Sequence, residues 1–373
     1  MPAGKEVLPG GDGCPVCLLR EGKTVKNSIY TGIQGNCHIQ GIAVDTQKGF
    51  IYYSFTTKLI KSTLDGKIVG SVDGLVGHLG CIDFREADGK VYGSLEFKND
   101  SVGRGIRKNL GVDVQFDDAF YIAIFDVDKI TRMDMDAEKD GVMTAAYLEQ
   151  VVRDYHGTGK NAKGETVPHK YGCSGIDGTA LGPMPGDKSG REYLFTAYGI
   201  YGDITREDND YQILLCYDPE ELCRTAKPLS QLQMHKSGPE KPLGRYFVYT
   251  GNTVYGVQNL EYDAFTDSYF MAVYRGRKEK FTNYDLFQVD ASAAPEERSL
   301  RGTEETGLCF TLKADGERDA NGLFGRFFEY GSTGLFAKGD GTYLISHPGT
   351  ALSGQYGRIY SYKFTPEKGF VIW

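Results

Sequence analysis

The stretch HLGCIDFREADGKVYGSLEF (78–97) decides the fold. Its two apolar runs are rich in Ile, Val, Leu, Tyr and Phe, and they flank READG (85–89), which has the composition of a tight turn. This pattern predicts two antiparallel β-strands joined as a hairpin. The same pattern occurs one unit earlier, where HIQGIAVD (38–45) and FIYYSF (50–55) flank TQKG. Both units begin with a histidine followed by small residues, so we interpret them as copies of one structural repeat.

Three further units follow the same order of a Gly-rich opening, an apolar strand, a variable insertion and later strands. Four strands in meander order are typical of one blade of a β-propeller. The sequence therefore predicts an all-β fold, a single propeller of five four-stranded blades, at residues 38–76, 78–165, 169–251, 257–316 and 328–373. In this interpretation, residues 142–152 and 308–316 are the last strands of the second and fourth blades. Two packed β-sandwiches are the alternative.

The segment KNSIYTG (26–32) has the composition of one more strand. We expect it to close the ring by pairing with the fifth blade, which leaves residues 1–25 as an N-terminal tail. As an architecture, the pattern resembles five- and six-bladed β-propellers, and in particular bacterial propeller proteins of uncharacterised function. The resemblance covers nearly the whole chain but implies only a fold, because a strand pattern carries no functional residues.

Composition excludes several classes of function. The formal net charge of −8 argues against a nucleic-acid-binding protein, which needs a basic surface. The chain has no apolar run near the ~18 residues that span a bilayer, so no membrane partner is expected. The N-terminal sequence MPAGKEVLPGGDG has no apolar leader, which favours a cytoplasmic location and reduced cysteines.

Propeller topology sends the start of each first strand and the end of each second strand to the same rim. Loops on a rigid scaffold are where functional sites usually lie, so this rim is the expected site. The polar residues predicted to gather there are His38, Gln40, His78, Glu96, Lys98, Asn99, His169, Tyr171, Ser174, Tyr198, Gln258, Asn259, Tyr274, Arg275, Glu329, Tyr330, Ser332 and His347.

Three histidines of this rim are candidate metal ligands. His38, His78 and His347 are predicted to hold Zn or Mn, because imidazole suits both metals. The alternative is that each histidine bonds a loop backbone. Without a metal, His38 and His78, together with Tyr171, are candidate acid–base residues.

Two basic insertions reach the same rim and suggest an anionic ligand. The first, KNDSVGRGIRKNLG (98–111), is predicted to form a short helix capped by Asp100 or Ser101 that carries Arg104 and Arg107. The second, RGRKEK (275–280), carries Arg275 and Arg277. Guanidinium groups bind carboxylate, phosphate or sulfate well, although solvated loop charges are the alternative.

Two further motifs suggest metals away from the rim. In RMDMDAEKDG (132–141), Asp136, Glu138 and Asp140 alternate before a glycine as in the start of a calcium loop, but position twelve would be Tyr147 rather than glutamate. A plain acidic turn is the alternative. Cys14 and Cys17 form C-P-V-C, which is half a zinc site, and Cys37-His38 is its only candidate completion; a tail with free thiols is the alternative.

These residues favour a hydrolase or lyase that acts on an anionic small molecule or sugar acid at the top of the channel, with or without a divalent metal. A carboxylate pair for glycoside hydrolysis cannot be chosen from the sequence, because Glu96, Asp177, Glu261 and Glu329 are all eligible. Two alternatives stay open. One is a non-catalytic propeller that binds a carbohydrate, another ligand or a protein, and the other is a calcium-dependent nucleotidase-like phosphohydrolase.

Overall fold

The computed structural model describes residues 28–373, and its sheets form a five-bladed β-propeller. The described chain begins with a short strand, β1 (Ile29–Tyr30). Blade 1 then follows without insertions, and its strands are β2 (Ile39–Asp45), β3 (Phe50–Phe55), β4 (Lys58–Thr63) and β5 (Ile68–Asp73). Cys14 and Cys17 lie outside the described residues.

Blade 2 carries two insertions on the same meander. Its first strands are β6 (His78–Arg85) and β7 (Lys90–Phe97), followed by helix α1 (Ser101–Leu110) and β8 (Ala119–Asp126). A short β9 (Met135–Asp136) pairs in parallel with β5, and β10 (Met143–Tyr147) completes the blade. The predicted last strand, 142–152, is therefore too long, because helix α2 (Glu149–His156) begins directly after Leu148.

Blade 3 is preceded by a small hairpin of β11 (Thr158–Lys160) and β12 (Thr166–Pro168). Its four strands are β13 (Cys173–Pro183), β14 (Glu192–Ile200), β15 (Tyr211–Tyr217) and β16 (Gly244–Tyr249), with helix α3 (Pro219–Thr225) between the last two. Blade 4 has β17 (Thr253–Asp263), β18 (Ser268–Arg275) and β19 (Leu286–Asp290). The following strands are β20 (Glu296–Ser299), β21 (Thr306–Cys309), β22 (Glu317–Arg318) and β23 (Phe324–Gly325).

The predicted fourth strand of blade 4, 308–316, is wrong in part. Strand β21 pairs with β16 and so extends the outer edge of blade 3. The chain then crosses to blade 4, where Leu312 makes an isolated bridge to Val289. Phe310 fixes the crossing, because its ring stacks on Tyr246 with centroids 4.4 Å apart. This segment therefore ties two neighbouring blades together.

Blade 5 closes the ring with strands from both ends of the described chain. It consists of β24 (Leu335–Ala337), β25 (Thr342–Ala351), β26 (Gly354–Thr365) and β27 (Gly369–Ile372). Both β27 and β1 pair with β26, with Tyr30 opposite Arg358. The backbone N–H of Gly357 also donates to Thr31 Oγ1 at 2.8 Å, across 326 residues of sequence.

The core lies between adjacent blades, because each sheet is covered on both faces. Tyr52 of blade 1 and Leu79, Leu95 and Tyr121 of blade 2 belong to one fully buried cluster of this kind. Burial on both faces explains why the strands are nearly continuous apolar runs. Among the described residues, no helix is long and apolar enough to cross a membrane.

The channel is plugged near its middle by Asn259. Its Nδ2 donates to the backbone oxygens of Gln40 at 2.8 Å and Ser332 at 3.1 Å, in blades 1 and 5. Cys81 of blade 2 lies 3.4 Å from Asn259 Oδ1, and its Sγ also contacts the backbone oxygen of Thr179 in blade 3 at 3.3 Å. The Asn259 amide and the Cys81 thiol together therefore connect all five blades. They separate one end of the channel from the other.

The end of the channel beyond this plug holds an acid that makes stability depend on pH. Asp83 accepts backbone hydrogen bonds from Phe84 and Leu181, both at 2.7 Å. Burial, with Glu192 nearby, nonetheless raises the pKa of Asp83 to about 7. Between about pH 4 and pH 7 the folded protein therefore holds a proton that the unfolded chain releases, so the free energy of unfolding falls as pH rises.

Replacing Asp83 by asparagine is expected to flatten this dependence by about 1–3 kcal/mol between pH 5 and pH 7.5. Urea denaturation at the two pH values measures it. The matched control is Asp128→Asn, because Asp128 is 61% exposed and pairs only at the surface. An Asp83→Asn protein with the wild-type pH slope would contradict the assignment.

Candidate active site

The channel has a cavity of about 210 Å³ at the end where the innermost strands begin. We call this cavity the cup. It is smaller than the ~300–1,000 Å³ pockets that hold drug-sized ligands, so it suits a ligand of about one ring. The residues that line the cup are His38, Gln40, His78, Glu96, Lys98, Val102, Ser174, Ile176, Asp177, Gly199, Tyr255, Gln258 and Tyr274.

Eight residues that were predicted to lie on this rim meet in the cup, namely His38, Gln40, His78, Glu96, Lys98, Ser174, Gln258 and Tyr274. His38 precedes β2 and His78 opens β6, and Gln40, Ser174 and Gln258 lie on the innermost strands of three different blades. Each innermost strand starts at the same rim, so residues far apart in sequence converge on the axis. Their predicted roles as acid–base and substrate-binding residues are taken up as proposals below.

Burial favours the neutral form of both histidines. His38 Nε2 lies 3.2 Å from the side-chain nitrogen of Gln40, and burial lowers the pKa of His38. Burial lowers the pKa of His78 to about 3, and the nearby Lys98 adds to the effect. His78 Nδ1 faces Glu96 Oε1 at 3.7 Å. A neutral imidazole has one donor and one acceptor, so both histidines are suited to hydroxyl groups.

A buried ion pair forms one wall of the cup. Lys98 Nζ lies 2.5 Å from Glu96 Oε1 and 3.7 Å from Asp100 Oδ2, and it donates to the backbone oxygen of Ser174 at 2.7 Å. Burial alone lowers the pKa of Lys98, but Glu96 and Asp100 outweigh it and raise that pKa above its ordinary value. The lysine is thus charged, and its ammonium group already has three oxygen partners.

Two buried carboxyl groups differ in their surroundings. Burial raises the pKa of Glu96, but the adjacent Lys98 opposes this effect, and Glu96 Oε2 accepts the backbone N–H of Ile176 at 3.1 Å. Burial raises the pKa of Asp177 well above its ordinary value, and the charge of Glu96 raises it further. The nearest donor to Asp177 Oδ1 is the backbone N–H of Cys81 at 3.3 Å. Burial therefore raises the pKa of both carboxyl groups, and of the two only Glu96 has an ammonium group paired directly with it.

Glycine keeps the cup open at two positions. A Cβ atom on Gly199 would lie 2.6 Å from Ser174 Oγ, so any side chain there would enter the cavity. Gly175 has φ +123°, where L-residues are strained, and a Cβ on it would collide with the Glu96 carboxylate. Both positions need glycine because neighbouring strands present polar side chains to the same small space.

The predicted arginine grip on an anion is wrong. The insertion does form a capped helix, with the Gly103 N–H donating to Asp100 Oδ1 at 2.8 Å, but its arginines turn back on their own loop. Arg104 donates to the backbone oxygen of Asn99, and the buried Arg107 donates to that of Lys98 at 2.9 Å.

The second basic insertion also stays away from the cup. Arg275 Nε pairs with Asp285 at 2.6 Å and covers the ring of Phe327, and Arg277 is exposed. Long side chains take the nearest acceptor, which sequence position alone does not identify. Of the residues from 28 onward, only Lys98 brings a cation to the lining.

Three other predicted site residues lie elsewhere on the rim. His347 stacks on Tyr330 with ring centroids 3.6 Å apart, and its Nε2 lies 2.7 Å from the Tyr362 hydroxyl. Tyr171 is buried in a separate cavity, where its hydroxyl bonds Glu305. Glu329 is exposed and does not line the cup. The fifth blade therefore contributes no ligand-facing histidine, because its second strand points His347 into an aromatic cluster.

Neither predicted metal site is formed as the sequence suggested. Within residues 28–373, no three His, Cys, Asp or Glu side chains are arranged to hold a metal ion, and His347 is absent from the cup that contains His38 and His78. In the acidic turn, Asp136 pairs with Lys139 at 3.0 Å and Asp140 pairs with Arg132 at 2.7 Å.

The third acidic residue of this turn, Glu138, is also occupied. Its Oε1 accepts hydrogen bonds from both the backbone and the side chain of Gln231, at 3.0 and 2.9 Å. The three carboxylates of the turn therefore serve different partners, and the plain acidic turn is the better description.

Sequence reasoning missed Tyr255. This residue lies in β17, where the pairing with β18 shifts register between Val254 and Val257. Its φ of +64° is unusual for a residue other than glycine. The adjoining Gly256, with φ +70°, was the available signal, because a glycine inside a strand pattern often marks a bulge.

Comparisons with known proteins concern the fold alone. No family model matches the chain, and no curated protein matches it. One similar solved structure is a GH43 β-1,3-galactosidase with galactodeoxynojirimycin, at 11% identity and a TM-score of 0.42, with 92% of this chain and 98% of that chain covered. The PQQ domain of pyranose dehydrogenase from Coprinopsis cinerea is similar at 13% identity and a TM-score of 0.37, with coverages of 88% and 83%. The Dos1 propeller is similar at 8% identity and a TM-score of 0.30, with coverages of 89% and 82%. The chain described here is a five-bladed β-propeller.

Proposed function

We propose that the protein is a hydrolase that cleaves a glycosidic or similar C–O bond of a small sugar-type molecule bound in the cup. One observation carries the proposal. Two buried carboxyl groups, Glu96 and Asp177, line the same small open cavity; burial raises the pKa of Asp177 well above its ordinary value, whereas the directly paired Lys98 opposes that rise at Glu96. Pairs of titratable groups whose environments separate their pKa values are typical of acid–base catalysis.

Each group has a role in this proposal. Asp177 donates its proton to the leaving oxygen as the C–O bond breaks. Glu96 accepts a proton from the water whose oxygen forms the new bond to carbon, so that one carboxyl loses the proton that the other gains. Lys98 keeps Glu96 ionised at neutral pH. His38, Gln40 and Gln258 lie where they can bind hydroxyl groups of the ligand.

Hydrolysis is favoured over the lyase reaction that was also considered. Elimination from a sugar acid builds negative charge next to the carboxylate, and a cation must stabilise it. The ammonium group of Lys98 is already engaged by Glu96, Asp100 and the Ser174 backbone, and the arginines lie elsewhere. A non-catalytic carbohydrate-binding propeller remains the second candidate, since the cup by itself serves equally for binding.

A variant that fills the cup tests the location of the reaction. Gly199→Val is expected to abolish the release of 4-nitrophenol from whichever 4-nitrophenyl glycoside the wild type hydrolyses best, because its side chain enters the cavity beside Ser174. The assay is the absorbance of released nitrophenol across a panel of such glycosides.

The matched control is Gly105→Val in helix α1, where an added Cβ meets no atom within 4 Å. It is expected to keep wild-type activity. Full activity in Gly199→Val would place the reaction outside the cup. A wild type that binds sugars without hydrolysing any glycoside in the panel would favour the binding protein instead.

A further inference from the structure

Tyr255 forms part of the wall of the cup, and packing within the fold does not explain its strained backbone conformation. Within residues 28–373, six residues other than glycine have positive φ, namely Asp134, His169, Tyr171, Tyr255, Asp267 and Asn283. Asp and Asn tolerate this conformation, because their short side chains bond the local backbone. For His, and still more for Tyr, it is unfavourable, so the remaining three require a compensating contact.

Two of these three have such contacts. His169 Nδ1 lies 2.6 Å from the backbone oxygen of Tyr155, and its ring packs against Tyr155 and Tyr201. Tyr171 is 2% exposed, its ring meets Phe247 edge-on, and its hydroxyl bonds Glu305. Packing and hydrogen bonding therefore repay the strain at both positions.

Tyr255 has no comparable compensation. It is 45% exposed, and its ring pairs edge-on with that of Tyr274, with centroids 6.4 Å apart. Its backbone oxygen accepts the side-chain N–H of Gln258 at 3.0 Å, which any residue at this position could do. Strained backbone conformations of this kind cluster at ligand clamps and active sites.

The charges around the cup indicate which ligand this ring faces. Lys98 is paired with Glu96 and Asp100, and burial favours the neutral form of the other titratable lining groups, because it raises the pKa of Asp177 and lowers the pKa of both histidines. The other polar lining groups are the amides of Gln40 and Gln258 and the hydroxyl groups of Ser174, Tyr255 and Tyr274. Such groups both donate and accept, as sugar hydroxyls do, whereas an anionic group would meet the Glu96 carboxylate without a free cation.

We infer that the cup recognises a neutral sugar ring, with the apolar face of that ring stacked on Tyr255, and that the strained backbone of β17 is retained because it presents this tyrosine to the ligand. This specifies the substrate class of the proposed function and rests on its location in the cup. The neutral ring replaces the sugar acid expected from the arginine-rich insertions.

Three variants of Tyr255 distinguish the contribution of its aromatic ring from that of its strained backbone. Tyr255→Asn removes the ring but tolerates positive φ, Tyr255→Gly removes both, and Tyr255→Phe keeps both. Binding is measured by calorimetric titration with the neutral methyl pyranosides of glucose, galactose and xylose, and with methyl glucuronide as the anionic counterpart. Phe265→Ala is the matched control, because Phe265 is an aromatic residue 57% exposed on the β17–β18 turn, away from the cup.

The Asn and Gly variants are expected to bind the best neutral pyranoside at least about tenfold more weakly, which is about 1.4 kcal/mol. The Asn variant is expected to melt at a temperature no lower than the wild type, since the strain is relieved. Tyr255→Phe and Phe265→Ala are expected to bind within about threefold of the wild type.

Three results overturn the inference. They are unchanged binding in Tyr255→Asn, methyl glucuronide binding as tightly as the neutral pyranosides, and no binding of any neutral pyranoside. The proposed hydrolysis fails separately. If Tyr255 variants lose binding while the wild type cleaves no glycoside, the recognition of a neutral ring stands and the enzyme proposal falls.

Discussion

Replacing Asp177 by asparagine is expected to lower kcat/KM for an unactivated glycoside by about 10²–10⁴-fold, the usual contribution of a general acid. Asparagine has the same shape and keeps an oxygen for the Cys81 backbone N–H, which lies 3.3 Å from Asp177 Oδ1. The fold should therefore survive. The substitution removes only the proton that burial retains on this carboxyl.

A second leaving group and a pH profile make this test specific for the proton on Asp177. A 2,4-dinitrophenyl leaving group departs without a proton, so the same variant should lose much less activity on a dinitrophenyl glycoside. In the wild type, kcat/KM should fall on the alkaline side as Asp177 ionises and on the acidic side as Glu96 is protonated. The variant should lose the alkaline limb and keep the acidic one.

Asp83→Asn is the control for this experiment. Asp83 is also an acid whose pKa burial raises, but it lies beyond the Asn259 plug and does not line the cup. Its asparagine variant should retain wild-type kcat/KM. Equal losses in the two variants would mean that Asp177 acts through the stability of the ring, and the assignment of Asp177 as the acid would be abandoned.

Replacing Lys98 by methionine is expected to lower the free energy of unfolding by about 3–5 kcal/mol at pH 7, the cost of leaving a partner charge buried alone. Glu96 would lose the ammonium group 2.5 Å away, and the Ser174 backbone oxygen would lose its donor. Because burial raises the pKa of Glu96, the carboxylate should protonate more readily in the variant. The destabilisation should therefore shrink as pH falls toward about 5.

Urea denaturation of three proteins checks this prediction. Lys98→Met with Glu96→Gln should recover part of the lost stability, because no charge is then left unpaired. Lys129→Met is the control, since the exposed Lys129 pairs with Asp126 at the surface, and it should change stability by less than about 0.5 kcal/mol. A Lys98→Met protein as stable as the Lys129→Met control would show that the pair contributes nothing.

The order of strands was predictable from the sequence, and so was part of the cup. Strand alternation and turn composition locate each blade, and topology then carries His38, His78 and Gln258 to the same end of the axis. Each of these residues lies on an innermost strand or directly before one, so the path of the backbone alone fixes where it lies. Their chemical roles remain predictions.

Side chains on insertions were not predictable in the same way. Arg104 and Arg275 were expected to reach the axis, but each has several rotatable bonds and a nearer acceptor, in Asn99 and Asp285. The strained φ of Tyr255 was also hidden, since no composition rule assigns a bulge to a tyrosine. The crossing of 306–313 between blades depends on the Phe310–Tyr246 stack, a contact between segments 64 positions apart (310 − 246).

Strand β26 pairs with β1 as well as with β27, and this pairing has a consequence for folding during synthesis. Strand β1 leaves the ribosome well before its partner strand, because the Thr31–Gly357 contact between them spans 326 residues. At about 5–20 residues per second, synthesis of the intervening chain takes roughly 16–65 s. Throughout that interval β1 lacks its partner strand, so its backbone groups are open to pairing with a second chain. Synthesis of β26 ends this exposure.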